Sequence, residues 1–205
     1  GTFWLDVVSL FPQDTFLRRK NGLRPDLAEM LKDLKPGFLR FPGGCVVEGC
    51  TLDNRIQWKK TSGDIAERPG HWDLWGYRAT DGLGFHEFLQ LAEDLHAEAM
   101  YVCNVGLSCQ GRGPEVVQDS ETIVNTYVQD TLDALEYAMG SPDSQWGSLR
   151  ARNGHPEPFK IKYVEIGNEN GGPDYHRAYK LFYTAIKAKY PKVITIADQP
   201  IPHAP

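Results

Sequence analysis

Apolar positions in this chain recur in two alternating periods. Thr2–Leu10 alternates, with Phe3, Leu5, Val7 and Ser9 on one face and Trp4, Asp6, Val8 and Leu10 on the other, and predicts a strand. Residues 11–24 are polar and turn-rich. From Pro25, a residue suited to the first helical position, Leu27, Met30, Leu31 and Leu34 form a helical stripe that Pro36-Gly37 ends. Phe38-Leu39-Arg40-Phe41 predicts a short strand stopped by Pro42-Gly43-Gly44. Residues 45–81 show no clean period, yet they carry Trp58, Trp72 and Trp75, so they predict an ordered, functional loop. Each of those tryptophans is expected to pack into its own loop in preference to stacking on a sugar. Beyond the loop the pattern predicts a helix over 84–96 with Phe88, Leu91, Ala92 and Leu95 inward, then a strand over Met100–Val105. A polar loop (107–119) leads to a helix with Val124, Tyr127, Val128, Thr131, Leu135 and Ala138 on one face. Ser141–Pro158 reads as irregular. A strand from Ile161 then runs into the turn Gly167-Asn168-Glu169-Asn170-Gly171-Gly172. Tyr179, Phe182, Tyr183, Ile186 and Tyr190 mark a last helix, stopped by Pro191, and Val193–Ala197 a last strand.

Strands alternating with helices predict right-handed crossovers and a parallel α/β sheet. A doubly wound nucleotide fold should show a glycine-rich turn leading directly from a strand into a helix. Pro42-Gly43-Gly44 instead opens a long loop, and Gly82-Leu83-Gly84 follows no strand. Polar residues collect at or near strand ends (Arg40, Asn104, Asn168, Glu169), which is the rim pattern of a (β/α)8 barrel. With 205 residues and too few strands for eight, the expectation is a partial (β/α)8 TIM barrel.

Composition narrows the function classes. A net charge of −5 with no Lys/Arg run argues against a nucleic-acid partner, and no apolar run approaches the roughly 20 residues of a membrane span. The cysteines at 45, 50, 103 and 109 miss the short spacing of zinc knuckles, so free thiols and neither metal nor cofactor are expected. No H-E-x-x-H or G-x-S-x-G motif occurs. Both ends read as interior to a longer protein.

The chemistry therefore rests on carboxylates. Glu169, presented by a strand end beside an amide, is the leading general acid/base candidate, against the alternative of a solvated turn. Asn168 donates to a ligand hydroxyl or caps the turn. Arg40 orients a carboxylate, binds substrate or bridges acids in the barrel core. Glu165 shares the parity of Glu169 but lies roughly 13 Å deeper along the strand, a structural position. Glu48 belongs to the loop and is expected to face the same rim.

Six motifs occur in order: Arg40–Gly49 (RFPGGCVVEG), Glu67–Trp72 (ERPGHW), Asp81–Phe85 (DGLGF), Glu87–Asp94 (EFLQLAED), His155–Phe159 (HPEPF) and Ile166–Glu169 (IGNE). Together they resemble the family 51 glycoside hydrolases, the α-L-arabinofuranosidases, in the branch that includes plant and gut-bacterial enzymes. The resemblance implies that Glu169 is the general acid/base at the end of the fourth barrel strand. It implies that Asn168 binds the sugar 2-hydroxyl and that Arg40 supports the catalytic carboxylates. Cys45 stands at a substrate-contacting position where many relatives have asparagine; Asn104 and Glu48 join it as expected substrate-binding residues. The implied chemistry is retaining, with two carboxyl groups about 5–5.5 Å apart. The nucleophile, a second glutamate on the seventh barrel strand, is expected outside these residues, which hold strands two to five. Residues 1–12 resemble the last strand of a preceding sugar-binding jelly-roll module, leaving 13–205 as the partial catalytic domain. The implied partner is an arabinose-containing oligo- or polysaccharide. Alternatives are a related barrel glycosidase acting on xylosides or glucans, or an inactive, sugar-binding fragment prone to self-association through open strand edges.

Overall fold

The computed structural model describes residues 1–5, 8, 10 and 12–202. Its sheet has four parallel strands in sequential order: β1 (Phe38–Phe41), β4 (Glu98–Cys103), β5 (Ile161–Ile166) and β6 (Ile194–Ala197). Between β1 and β4 lies a small antiparallel hairpin, β2 (His71–Trp72) and β3 (Arg78–Ala79). Strand order that never reverses means that successive right-handed crossovers lay their helices along one face of the sheet. A doubly wound sheet would reverse direction at a switch point. The described strands form an open arc, with β1 and β6 at its edges.

The helices, in chain order, are α1 (Pro25–Asp33), the single turn α2 (Cys45–Glu48), α3 (Phe85–Asp94), α4 (Ser120–Thr122), α5 (Gln129–Met139), α6 (Gln145–Arg152) and α7 (Gly172–Lys189). A π-helical stretch, Ile123–Val128, joins α4 to α5. The core lies between the sheet and α3, α5 and α7. Cys103, Val164 and Ile166 meet Phe85, Leu135, Tyr175, Phe182 and Ile186 there, each at 1% exposure or less. The Tyr175 hydroxyl, at the start of α7, donates to Ile166 O and accepts from Asp198 N, both at 2.8 Å, which locks the ends of β5 and β6 together.

Several expectations change. Gly1–Leu5, Val8 and Leu10 form no strand, and the rest of the strand expected over Thr2–Leu10 lies outside the described residues. The stripe of α1 faces outward: Leu27, Met30, Leu31 and Leu34 are all exposed, and only Ala28 is buried. Val124 is likewise exposed, whereas its stripe-mates Tyr127, Val128, Thr131, Leu135 and Ala138 are buried. Ser141–Pro158 is not irregular throughout, because it contains α6. Ser144 caps that helix by accepting from Gly147 N at 3.1 Å. Its buried positions are Gly147 and Arg150, which is why no apolar period announced it.

The 45–81 loop is ordered by side chains gripping backbone. Arg68, buried, pairs with Glu87 at 2.7 Å and donates to Asp81 O, Gly82 O and Gly63 O, while Glu87 accepts from Gly84 N at the start of α3. Trp58 packs against Phe85, Tyr137 and Trp146 with ring centroids 5.2–5.5 Å apart and donates to Asp130 O. Trp72 and Trp75 depart from the packing expected of them and stay more than half exposed.

Candidate active site

Parallel pairing in near register brings the C-terminal strand ends to one rim: Phe41 lies opposite Tyr101, Cys103 opposite Ile166, and Ile166 opposite Ala197. Every candidate site residue sits in or just beyond those ends. After Ile166 the chain turns through Gly167, whose φ is +92° and where an added Cβ would lie 2.7 Å from Asp198 Oδ2 and 2.8 Å from Asn170 Oδ1. Only glycine fits that turn. Glu169 follows with φ +51°, a left-handed conformation uncommon for glutamate that persists only where surrounding bonds impose it.

Those bonds are present on both sides of it. Asn168 and Asn170 are buried, at 3% and 4% exposure, and Glu169 between them is exposed. Asn168 N donates to Asn170 Oδ1 at 3.3 Å, and Asn170 N donates to Asp198 Oδ2 at 3.0 Å. Beneath the turn, Glu48 accepts from Asn168 Nδ2 at 3.0 Å and from Asn170 Nδ2 at 2.8 Å. The result is a carboxylate held out into a cleft by a rigid polar base.

Arg40 reaches the same base from β1. It makes a two-pronged pair with Glu165, at 2.6 and 2.5 Å, and donates to Asn168 Oδ1 at 2.8 Å. This pairing raises the arginine's already high pKa, chiefly through the Glu165 hydrogen bonds. Gly43, φ +65°, lets the loop pass over the guanidinium, since a Cβ there would sit 2.5 Å from Arg40 Nη1. Glu165 therefore fixes Arg40, which fixes the Asn168 amide.

Cys45, at the start of α2, points its thiol toward Glu169 Oε2 at 3.8 Å. Burial, then the Cys109 thiol, push its pKa up to about 12, so it is a neutral donor. Asn104 is one row back. Its Nδ2 donates to Val47 O and Leu107 O, and its Oδ1 accepts from Gly106 N, so it joins the loops after β1 and β4. Glu48 is 1% exposed with both oxygens accepting from amides. Burial raises its pKa above the ordinary carboxylate range, opposed by those two donors.

A cleft of about 420 Å³ opens in front of Glu169, with Cys45, Glu48, Trp75, Cys109, Gln110 and Arg112 among its walls. The Arg112 guanidinium stacks 4.5 Å from the centre of the Trp75 ring. Apolar faces beside hydrogen-bonding groups suit a sugar ring.

Asn170, Asp198 and Cys109 are residues of the candidate site that the sequence did not single out, and Trp75, expected to pack into its own loop, lines the cleft instead. Asp198 had a signal, being the first polar residue after β6, like Asn104 after β4. Burial raises its pKa to about 7, reinforced by the charges of Glu165 and Glu48. Asn170 stood inside the quoted turn. Cys109 had no local signal, because its partners lie 60 residues away.

Known proteins resemble this chain along most of its length. The family described as "Alpha-L-arabinofuranosidase 1 domain" matches residues 30–205. Alpha-L-arabinofuranosidase 1 of Arabidopsis thaliana is 47% identical over 200 residues, which is 97% of this chain and 28% of that protein. The extracellular exo-alpha-L-arabinofuranosidase of Streptomyces chartreusis is 40% identical, over 95% of this chain and 25% of its own length. Among solved structures, the arabinose-bound MgGH51 α-L-arabinofuranosidase superposes with a TM-score of 0.81 at 40% identity, covering 89% of this chain and 29% of that one. The chain thus spans little more than a quarter of these relatives, and its open sheet is part of a (β/α)8 barrel. It belongs to the α-L-arabinofuranosidase family of glycoside hydrolases, family 51.

Proposed function

We propose that the protein containing this chain removes terminal α-L-arabinofuranosyl groups from plant polysaccharides such as arabinan and arabinoxylan, with retention, and that Glu169 is its general acid/base. The observation that carries the reading is the exposed Glu169 carboxylate in a left-handed turn, fastened on either side by buried Asn168 and Asn170. Glu169 protonates the leaving oxygen and later takes a proton from the attacking water. Asn168, oriented at Oδ1 by Arg40 and at Nδ2 by Glu48, keeps a second amide hydrogen and a second lone pair for the sugar 2-hydroxyl. Cys45 faces the same carboxylate. Arg40, Glu48 and Asn104 act here through the groups they hold. The nucleophilic glutamate is assigned to a later barrel strand beyond these 205 residues, so the isolated chain is expected to be inactive and to self-associate through its open edges. Residues 1–12 are assigned to the end of a preceding sugar-binding module.

In the full-length protein, Glu169→Ala is expected to lower turnover of arabinan about 10²–10⁴-fold. Activated aryl arabinofuranosides, whose leaving groups need no proton, should retain far more of their rate. Equal loss on both substrates, or no loss on either, would remove Glu169 from this role.

A further inference from the structure

Two thiols and a buried carboxylate converge on one wall of the cleft. Cys45 Sγ, Cys109 Sγ and a Glu48 carboxylate oxygen all lie within 4.8 Å of one another. Their backbones are already fastened: Cys45 and Glu48 begin and end the same turn, α2, and Cys109 N donates to Gly49 O at 2.9 Å. A tetrahedral zinc ion with bonds of about 2.3 Å to sulfur and about 2.1 Å to oxygen holds such ligands roughly 3.5–3.8 Å apart. The three groups therefore need only a small inward movement of side chains.

A second observation points the same way. Glu48 is 1% exposed, and among the described residues no lysine, arginine or histidine pairs with it; its partners are the neutral amides of Asn168 and Asn170. Arg40, which reaches the same Asn168, is committed to Glu165, and Arg112, on the cleft wall, stacks on Trp75. A carboxylate buried without a counter-charge is costly, and a cation at the thiols would supply one. Each Glu48 oxygen has a further lone pair beyond its amide bond.

We propose that Cys45, Cys109 and Glu48 form a binding site for a thiophilic divalent cation of the zinc class. Two thiolates and one carboxylate suit such an ion and exclude calcium or magnesium, which take oxygen donors. Binding replaces two S–H bonds by two metal–sulfur bonds and releases two protons to solvent, with no change of oxidation state. A fourth position is left toward the cleft for water. The loaded site also removes the Cys45 thiol from Glu169 and places positive charge beside that carboxylate, so loading slows hydrolysis; this consequence rests on the proposed function, whereas the binding site does not.

Cadmium, which reports thiolate ligation by an ultraviolet charge-transfer band, tests the site without turnover. Titrating full-length, reduced protein with Cd²⁺ alone should give one equivalent of tight binding with the band of two thiolates. Cys109→Ser and Cys45→Ser should each weaken binding at least tenfold and reduce the band, Glu48→Gln should weaken binding and leave the band, and Cys50→Ser should change neither. Far-ultraviolet circular dichroism confirms that each variant is folded, and Glu48→Gln keeps both thiols if a serine variant does not fold. No band at one equivalent, a full band in folded Cys109→Ser, or undiminished binding in Glu48→Gln would overturn the proposal. So would a Cys45–Cys109 disulfide in protein purified without reductant and analysed by peptide mapping. A failed Glu169→Ala test with a normal titration would count against the catalytic reading alone.

Discussion

Among the described residues, Arg150 and Glu48 are the most completely buried charged residues, at 0% and 1% exposure, and neither forms a salt bridge there. Their surroundings differ. Arg150 donates to five backbone carbonyls, those of Tyr137, Ala138, Gly140, His155 and Pro156, at 2.8–3.2 Å. It staples the end of α5 to the chain after α6 with each guanidinium nitrogen bonded, and its acceptors are backbone that cannot move without unfolding. Glu48 accepts from two side-chain amides in a turn beside the cleft, and burial pulls it toward protonation. The same burial thus produces a structural staple at one end and an adjustable support at the other. What distinguishes them is whether the partner atoms belong to the scaffold or to groups that meet a ligand.

The largest effect expected from breaking this contrast is at Arg150. Arg150→Met removes a donor from five carbonyls inside the protein, of which Ala138 O keeps a second in Phe159 N, and should cost about 3–5 kcal/mol of stability, read by urea unfolding. Molecules that remain folded should keep their turnover in the full-length protein. A loss under about 1 kcal/mol would show that water reaches those carbonyls and that the staple is dispensable.

Glu48→Gln should distribute its effect the other way. Glutamine keeps one acceptor for the turn but turns an N–H₂ group against an asparagine N–H₂, so one amide of Asn168 or Asn170 must move. Stability should change by about 1 kcal/mol, because the lost hydrogen bond is offset by removing a buried charge. Turnover should fall tenfold or more, since small displacements of a catalytic group are expensive. Stability loss matching that of Arg150→Met, with turnover intact, would make Glu48 a second staple.

The sequence revealed these two regions unequally, for physical reasons. Glu169 and Asn168 were legible because a strand of Ile161, Val164 and Ile166 must end at the glycine turn, and whatever follows is displayed. Helix α7 was legible because Tyr179, Phe182 and Ile186 bury its stripe against the sheet. The stripe of α1 was read correctly as a helix, but periodicity does not identify the surface that covers it, and Leu27, Met30 and Leu34 are exposed. Helix α6 was hidden because its buried face is built on Gly147 and Arg150, and an arginine satisfied by carbonyls has no apolar period. Cys109 and Asp198 matter through partners on other loops, and such contacts come only from strand register.

The smallest effect expected lies between the two extremes, at Asp198. Its Oδ2 accepts from Asn170 N, so it supports the turn from the side opposite Glu48, yet it is only half-buried. Burial, with the charges of Glu165 and Glu48 behind it, raises its pKa from 3.8 to about 7. The folded protein then binds this proton more tightly than the unfolded chain does. Its contribution to stability is fully present below pH about 4 and is lost as pH rises through about 7. Asp198→Asn keeps an oxygen for Asn170 N and cannot titrate. The stability difference, variant minus wild type, should therefore rise by about 1 kcal/mol between pH 4 and pH 8, an amplitude discounted for partial solvent screening. Taking the difference cancels the groups that titrate in both proteins, including His86, whose burial lowers its pKa to about 4. Parallel pH curves for the two proteins would place Asp198 with Arg150, as a fixed support insensitive to its protons. A rising difference would set it apart from Arg150, as a support beneath Glu169 whose strength depends on its own proton.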